Sequence, residues 1–249
     1  TIINHQTWYD ENSVTLHKDN RVVSIDKNAK KIVCSKGEIL SYDKLLIATG
    51  SKAFIPNIEG TTLKNVLAFR TKKDVDDIMD TISKDKKAIV VGGGLLGLEA
   101  AYGIAQHGIK TILVHRSANL MSQQLDPTAG KLLQENLEKF GIEFRLNDTI
   151  TQINGKESVE SVIFKDGELV ESNLVVFATG ITPNTSIAKE CELQTNKGIL
   201  VNDYLQTMKL RLSQSQLMSY MKVIYAYIDL IDKIPNYQQV FIHFQKHLL

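Results

Sequence analysis

The chain has 249 residues, 43% hydrophobic and 23% charged, with a net charge of +1 at pH 7. That length allows one large or two ordinary domains with real cores, and so even a charge balance offers no strong field for nucleic acid or an anionic membrane. Two cysteines, Cys34 and Cys191, lie far apart, which excludes a disulfide framework and a Cys-x-x-Cys site and fits a reducing cytoplasm. No signal peptide or apolar stretch of membrane-spanning length is present, and the six histidines show no ligand spacing, so neither a membrane nor a metal is expected. The chain begins at Thr1 and soon runs into Trp8-Tyr9, which reads as the middle of a larger protein.

From Val14 to Ser41, short β-rich runs alternate with turn residues. The runs are Val14–Leu16, Arg21–Ile25, Lys31–Cys34 and Ile39–Ser41; Asp19-Asn20, Asn28 and Lys36-Gly37 separate them and predict an antiparallel meander. Lys44-Leu-Leu-Ile-Ala-Thr-Gly50 reads as an apolar strand ending in a small-residue turn at Ala48, Thr49 and Gly50. Pro56 and Gly60 mark a loop. Thr71, with Asp74 three residues on, starts a helix expected to reach about Ser83.

The most informative run follows. Ala88–Val91 is a strand apolar on both faces, and Gly92-Gly93-Gly94-Leu95-Leu96-Gly97 turns it into a helix expected to reach His107 before Gly108. Gly92, Gly94 and Gly97 have the spacing of the dinucleotide fingerprint. Gly92 would permit the tight turn, Gly94 the approach of a pyrophosphate, and Gly97 the close packing of helix on sheet. The open amides and dipole of the helix start favour phosphate. A second strand, Thr111–Val114, ends at His115-Arg116, where a site for the unphosphorylated dinucleotide usually has a carboxylate on the ribose. Arginine can instead bind a 2′-phosphate, so NADPH is expected to be tolerated; a solvated basic pair is the plainer alternative.

Asp126-Pro127 caps a helix over Thr128–Phe140, stopped by Gly141. Strands are expected at Ile142–Leu146, Ile150–Ile153, Ser161–Phe164, Leu174–Thr179 and Gly198–Val201. The fourth runs into a second Ala-Thr-Gly, Ala178–Gly180. Either Ala-Thr-Gly is a tight strand exit or a place where a cofactor approaches the backbone. Composition changes after Asp203: all fifteen glycines lie at or before Gly198.

These motifs resemble those of the pyridine nucleotide-disulfide oxidoreductase superfamily. The likeness is carried by Tyr42–Ser51, the glycine block with Glu99, and Val176–Asn184. Within that superfamily, Trp8-Tyr9, Phe69-Arg70-Thr71, Leu120-Met121 with Gln124-Leu-Asp126, and Gly198–Asp203 are most similar to the flavin module of NAD(P)H-dependent nitrite reductase large subunits. The resemblance implies an α/β flavoprotein with two dinucleotide-binding domains, a Rossmann-like NAD(P)H domain inserted in a partial FAD domain that carries the meander. Residues 1–68 and 181–208 would belong to the FAD domain, 69–180 to the NAD(P)H domain, and 209–249 to an atypical tail. FAD and NAD(P)H are the implied cofactors, with hydride passing from nicotinamide to flavin and electrons onward to an iron–sulfur or sirohaem acceptor.

By the same resemblance, Ala48–Gly50, Thr179 and Gly180 approach a cofactor and Glu99 orients the nicotinamide carboxamide. A carboxylate favourably placed at a helix start is the alternative for Glu99. No catalytic side chain is implied. The family's closely spaced cysteine pair is absent, which excludes disulfide reduction, and no FAD-binding glycine turn precedes Trp8. The expectation is a truncated reductase. A ferredoxin- or rubredoxin-type reductase with a separate acceptor protein, and a non-catalytic NAD(P)-binding remnant, are the alternatives. The tail reads as an amphipathic helix or as a frameshifted end, because the codons of Tyr220–Val223 can spell His-Glu-Gly in a shifted frame.

Overall fold

A computed structural model describes residues 5–82 and 87–207. The chain divides into two compact units, Thr1–Ser51 with Pro183–Leu249, and Lys52–Thr182. The expectations for the tail lie outside the described residues. Among the described residues, no helix is long and apolar enough to cross a membrane.

The first unit opens with α1 (Gln6–Glu11), which sets the Trp8 and Tyr9 rings edge to face at 5.2 Å. The meander follows as β1 (Val22–Asp26), β2 (Lys31–Cys34) and β3 (Ile39–Ser41), antiparallel in that order. Asp26 makes the first reversal: its Oδ1 accepts the N–H groups of Asn28 at 2.9 Å and Ala29 at 2.8 Å. The aspartate side chain imitates a backbone turn, whereas the sequence signal for this reversal was Asn28.

Two expected strands are not strands. Val14–Leu16 runs on as irregular chain from α1, with Val14 N–H donating to the Tyr9 carbonyl at 2.8 Å. Lys44–Gly50 is also irregular, and Leu45 and Leu46 are exposed. A strand exists only through a neighbour's ladder, which neither segment has among the described residues.

Strand β4 (Ser51–Ala53) carries the chain across into the second unit. There follow β5 (Val66–Ala68), α2 (Lys72–Thr81), β6 (Lys87–Val91), α3 (Leu95–Gln106), β7 (Lys110–His115), α4 (Pro127–Glu138), β8 (Ile142–Leu146), β9 (Ile150–Asn154), β10 (Ser161–Phe164), β11 (Leu169–Glu171) and β12 (Leu174–Phe177). The chain returns through β13 (Ile181–Pro183), paired with β4, to α5 (Ser186–Glu190). Gly198–Val201, expected as a strand, forms only isolated bridges.

The centre of this unit is a five-stranded parallel sheet in the order β5-β12-β6-β7-β8. Period-two alternation sends its central residues to opposite faces. Ala88, Val90, Leu174 and Val176 meet Leu98, Ala101 and Ile104 of α3 and Ile78 of α2. Ile89, Val91, Val175 and Phe177 meet Ile150, Ile153, Val162 and Phe164 of the antiparallel β9–β11 sheet. A sheet buried on both faces explains the unbroken apolar runs of β6 and β12. Each fully buried Ile, Leu or Val here contributes about 1.5–3 kcal/mol, which makes this core the main source of stability.

β5 pairs with β12 at one edge of the parallel sheet, and the second compact unit begins at Lys52. The caps fall where the side chains dictate. Thr71 and Asp74 form a reciprocal capping box on α2, and Asp126 Oδ1 accepts the Ala129 N–H at 2.8 Å on α4. Arg145 at the end of β8 binds Asp148 at 2.9 Å, Asp166 at 2.8 Å and Glu168 at 2.6 Å, and its guanidinium lies 3.9 Å from the Phe164 ring centre. The exposed cap is the cleanest test of local energetics. Asp126→Ala should lower unfolding free energy by about 1 kcal/mol in urea denaturation; an unchanged midpoint would show that α4 is held by packing alone.

Candidate functional site

Strand β6 ends at Val91, and Gly92, with φ +126°, turns the chain toward α3. Gly92 N–H donates to the Val114 carbonyl at 2.9 Å, which ties the turn to β7. A Cβ on Gly92 would collide with the Ala178 carbonyl, and one on Gly97 with the Gly92 carbonyl. The helix start and the strand end therefore meet backbone to backbone, as the small Ala178 beside them permits.

Gly94 differs. It is the N-cap of α3 with an ordinary φ of −88°, and a Cβ there would meet nothing within 4 Å. Nothing in the fold requires glycine at this position. Among the described residues the amides of Gly94, Leu95 and Leu96 make no hydrogen bond, and no side chain caps the helix. Leu95 is 52% exposed and Leu96 43%. The result is a bare, amide-rich helix start with apolar side chains beside it, where an anion is favoured by both N–H donors and helix dipole.

Gly93 has no open amide to offer. Its N–H donates to His115 Nδ1 at 3.1 Å, and its carbonyl accepts the Met121 N–H at 2.9 Å. Met121 holds φ +48°, a left-handed conformation that bulky residues seldom adopt, and Leu120 packs beneath it fully buried. This clasp was missed in the sequence, because only the coordinates bring Leu120-Met121 to the glycine turn.

The end of β7 divides its two basic residues. His115 turns back under the turn, half-buried, with Nε2 buried and without a hydrogen bond. Burial and the neighbouring Arg116 charge hold its pKa below the ordinary imidazole value, while the Asn119 backbone opposes them. Arg116 is exposed and makes no hydrogen bond or ion pair among the described residues. Glu99 on α3 is half-buried and likewise unpartnered among them; burial pushes its carboxyl above the usual range.

The two Ala-Thr-Gly turns prove alike in detail. Thr179 Oγ donates to the Phe54 carbonyl at 2.6 Å, and Phe54 N–H donates to the Gly180 carbonyl at 3.0 Å. In the first unit, Thr49 Oγ donates to the Asn184 carbonyl at 2.7 Å, and Asn184 N–H donates to the Gly50 carbonyl at 2.9 Å. Gly50 and Gly180 both have positive φ, +63° and +109°. Each threonine thus fastens its turn to the residue that follows a short strand, Phe54 after β4 and Asn184 after β13, a role the sequence did not disclose. Ala178–Gly180 stands with the glycine turn in the second unit; Ala48–Gly50 belongs to the first. Cys34 and Cys191 are both buried free thiols, and no cluster among the described residues could hold a metal ion.

A parallel sheet whose central strand opens through a glycine turn into a helix, with helices on one face and the β9–β11 sheet on the other, places the second unit in the Rossmann-like α/β class. The chain belongs to the pyridine nucleotide-disulphide oxidoreductase family, whose sequence profile matches residues 4–214. It is 44% identical over 205 residues to a nitrite reductase [NAD(P)H] of Bacillus subtilis strain 168, covering 82% of this chain and 26% of that protein. To an NADH oxidase of Methanocaldococcus jannaschii it is 36% identical, covering 79% of this chain and 45% of that one. Among solved structures, the ferredoxin reductase for the CYP199A2 system of Rhodopseudomonas palustris aligns at TM-score 0.77 and 26% identity, over 82% of this chain and 51% of the other. The chain therefore spans a quarter to a half of the length of these relatives.

The glycines supply a direct test of the geometry. Gly97→Ala, which drives a Cβ into backbone, should cost about 3 kcal/mol or more by urea denaturation. Gly94→Ala should cost less than about 1 kcal/mol. Equal losses would contradict the open space above Gly94.

Proposed function

We propose that this chain is the nicotinamide- and flavin-binding part of an FAD-dependent NAD(P)H oxidoreductase of the nitrite reductase type. Its second unit binds the nicotinamide nucleotide, and electrons pass to an iron–sulfur or sirohaem acceptor. The observation that carries this reading is the open helix start at Gly94–Leu96, beside a glycine the fold does not need. A pyrophosphate there would receive the free amides in place of water. Leu95 and Leu96 offer apolar surface to the nucleoside groups. Glu99, unpartnered and half-buried, suits the nicotinamide carboxamide, whose N–H₂ would donate to it. Arg116 suits a ribose 2′-phosphate.

When bound, the nicotinamide would supply a hydride and the flavin would let its two electrons leave singly for the acceptor, with the proton released to solvent. The residues of this chain bind and orient rather than react. For FAD, family membership supports the assignment; the described part of the first unit offers the Ala48–Gly50 turn, but among those residues no glycine turn that opens a helix. The relatives named for rubredoxin reduction and for a complex with putidaredoxin support an iron-containing acceptor.

The reading is tested by incubating the purified chain with FAD, desalting, and adding NADPH without oxygen. Retained flavin absorbance that bleaches on addition supports it, whereas a colourless protein contradicts FAD binding by this chain. Two variants address the nucleotide separately. Gly94→Ala should weaken binding of both nucleotides. Arg116→Ala should weaken NADPH by roughly 10- to 100-fold, the equivalent of a charge-assisted hydrogen-bonded pair, and NADH by less than about threefold. Equal losses for the two nucleotides would remove Arg116 from 2′-phosphate recognition.

A further inference from the structure

His115 has a place in the site that nucleotide contact does not explain. Its Nδ1 accepts the Gly93 N–H at 3.1 Å, so that nitrogen carries no proton and the ring is the neutral Nε2–H tautomer. The ring also fills the space under the turn, since a Cβ on Gly93 would lie 2.6 Å from His115 Cγ and 2.9 Å from Leu120. On its far side Gly93 is held by the Met121 N–H. The middle glycine is thus gripped at its amide, its carbonyl and its α-carbon. Two of those grips come from the segment after β7, and the ring itself ends β7.

An imidazolium cannot keep this arrangement. A proton on Nδ1 would face the Gly93 N–H, donor against donor at 3.1 Å, and a flipped ring would present a carbon there and give up the bond to Gly93. The charged group acting on the ring is Arg116 next to it, and the Asn119 backbone acts in the other direction. The acidic residue of α3, Glu99, makes no contribution to the ring, and its own shift arises from burial alone.

We propose that His115 is a positioning residue for the nicotinamide nucleotide: its neutral ring holds the glycine turn in the shape that leaves the Gly94–Leu96 amides open, and protonation of the ring loosens the turn and weakens binding. This rests on the nucleotide reading of the second unit. The sign is distinctive. If the ring simply lay near the phosphates, an imidazolium would attract them and affinity would rise on acidification. If it holds the turn, affinity falls. Burial and Arg116 delay protonation, so the fall should begin below the ordinary imidazole value of about 6.5.

The test has two parts. In nitrogen-15-labelled protein without ligand, the His115 ring should show an unprotonated Nδ1 at pH 8, and the Gly93 amide resonance should follow the His115 titration. Binding of NAD⁺, whose phosphates do not titrate between pH 8 and 5, is then measured across that range. Wild type should lose about tenfold in affinity per pH unit once below the ring's pKa, the slope of one linked proton. His115→Asn places a carbonyl oxygen where Nδ1 was and does not titrate; it should bind within about threefold of wild type at pH 8 and keep a flat profile. A proton on Nδ1, a wild-type profile matching that of the asparagine variant, or affinity that rises on acidification would overturn the proposal. Failure of wild type to bind NAD⁺ at any pH would overturn the nucleotide reading instead, and the Gly93 amide would still report whether the ring holds the turn.

Discussion

The contact between the start of α3 and the end of β6 sets the terms for everything around it. With hydrogen atoms alone at Gly92 and Gly97, two backbones approach closely enough to bring the helix axis over the strand end. Ala178 completes the seam from β12. From that approach follow the direction of the helix dipole, the exposure of its first amides and the position of β7's last residues beneath the turn. A larger side chain at Gly97 would drive the helix start off the Gly92 carbonyl, and one at Gly92 would strike the Ala178 carbonyl.

The polar groups near this seam fall into two sets. Gly93, Thr179 and Met121 spend their hydrogen-bonding capacity within the chain, and they fix the turn and the strand crossing. Gly94, Leu95, Leu96, Glu99 and Arg116 leave theirs open. Open donors at a helix start, with a half-buried carboxylate on the same helix, support the reading of these residues as a ligand site.

How much of this was legible depended on whether the signal was local. The parallel core, the glycine turn and the capped helices announce themselves because Ala88–Val91, Thr71 with Asp74, and Asp126-Pro127 carry their instructions within four residues. The meander was readable from Asn28 and Lys36-Gly37 for the same reason. Lys44–Gly50 misled because an apolar run specifies burial or a strand only when a partner lies alongside. Short β4, β5, β11 and β13 were missed since three residues have no period to detect, and the equally short β3 was read from the Lys36-Gly37 turn before it. In the site, glycine spacing located the turn, but the clasp of Gly93 by His115 and Met121 joins residues more than twenty positions apart and leaves no mark in sequence. His115 was expected beside Arg116 at the ribose; the structure instead turns its ring inward and leaves Arg116 facing outward.

The central claim is that the open amides at the start of α3 receive a dinucleotide. Amide resonances of the nitrogen-15-labelled chain, followed during addition of NADPH, test it most directly. The account predicts saturable shifts largest at Gly94, Leu95, Leu96 and Gly97, with Arg116 moving alongside them. Shifts confined to other parts of the chain, or none at saturating nucleotide, would contradict it.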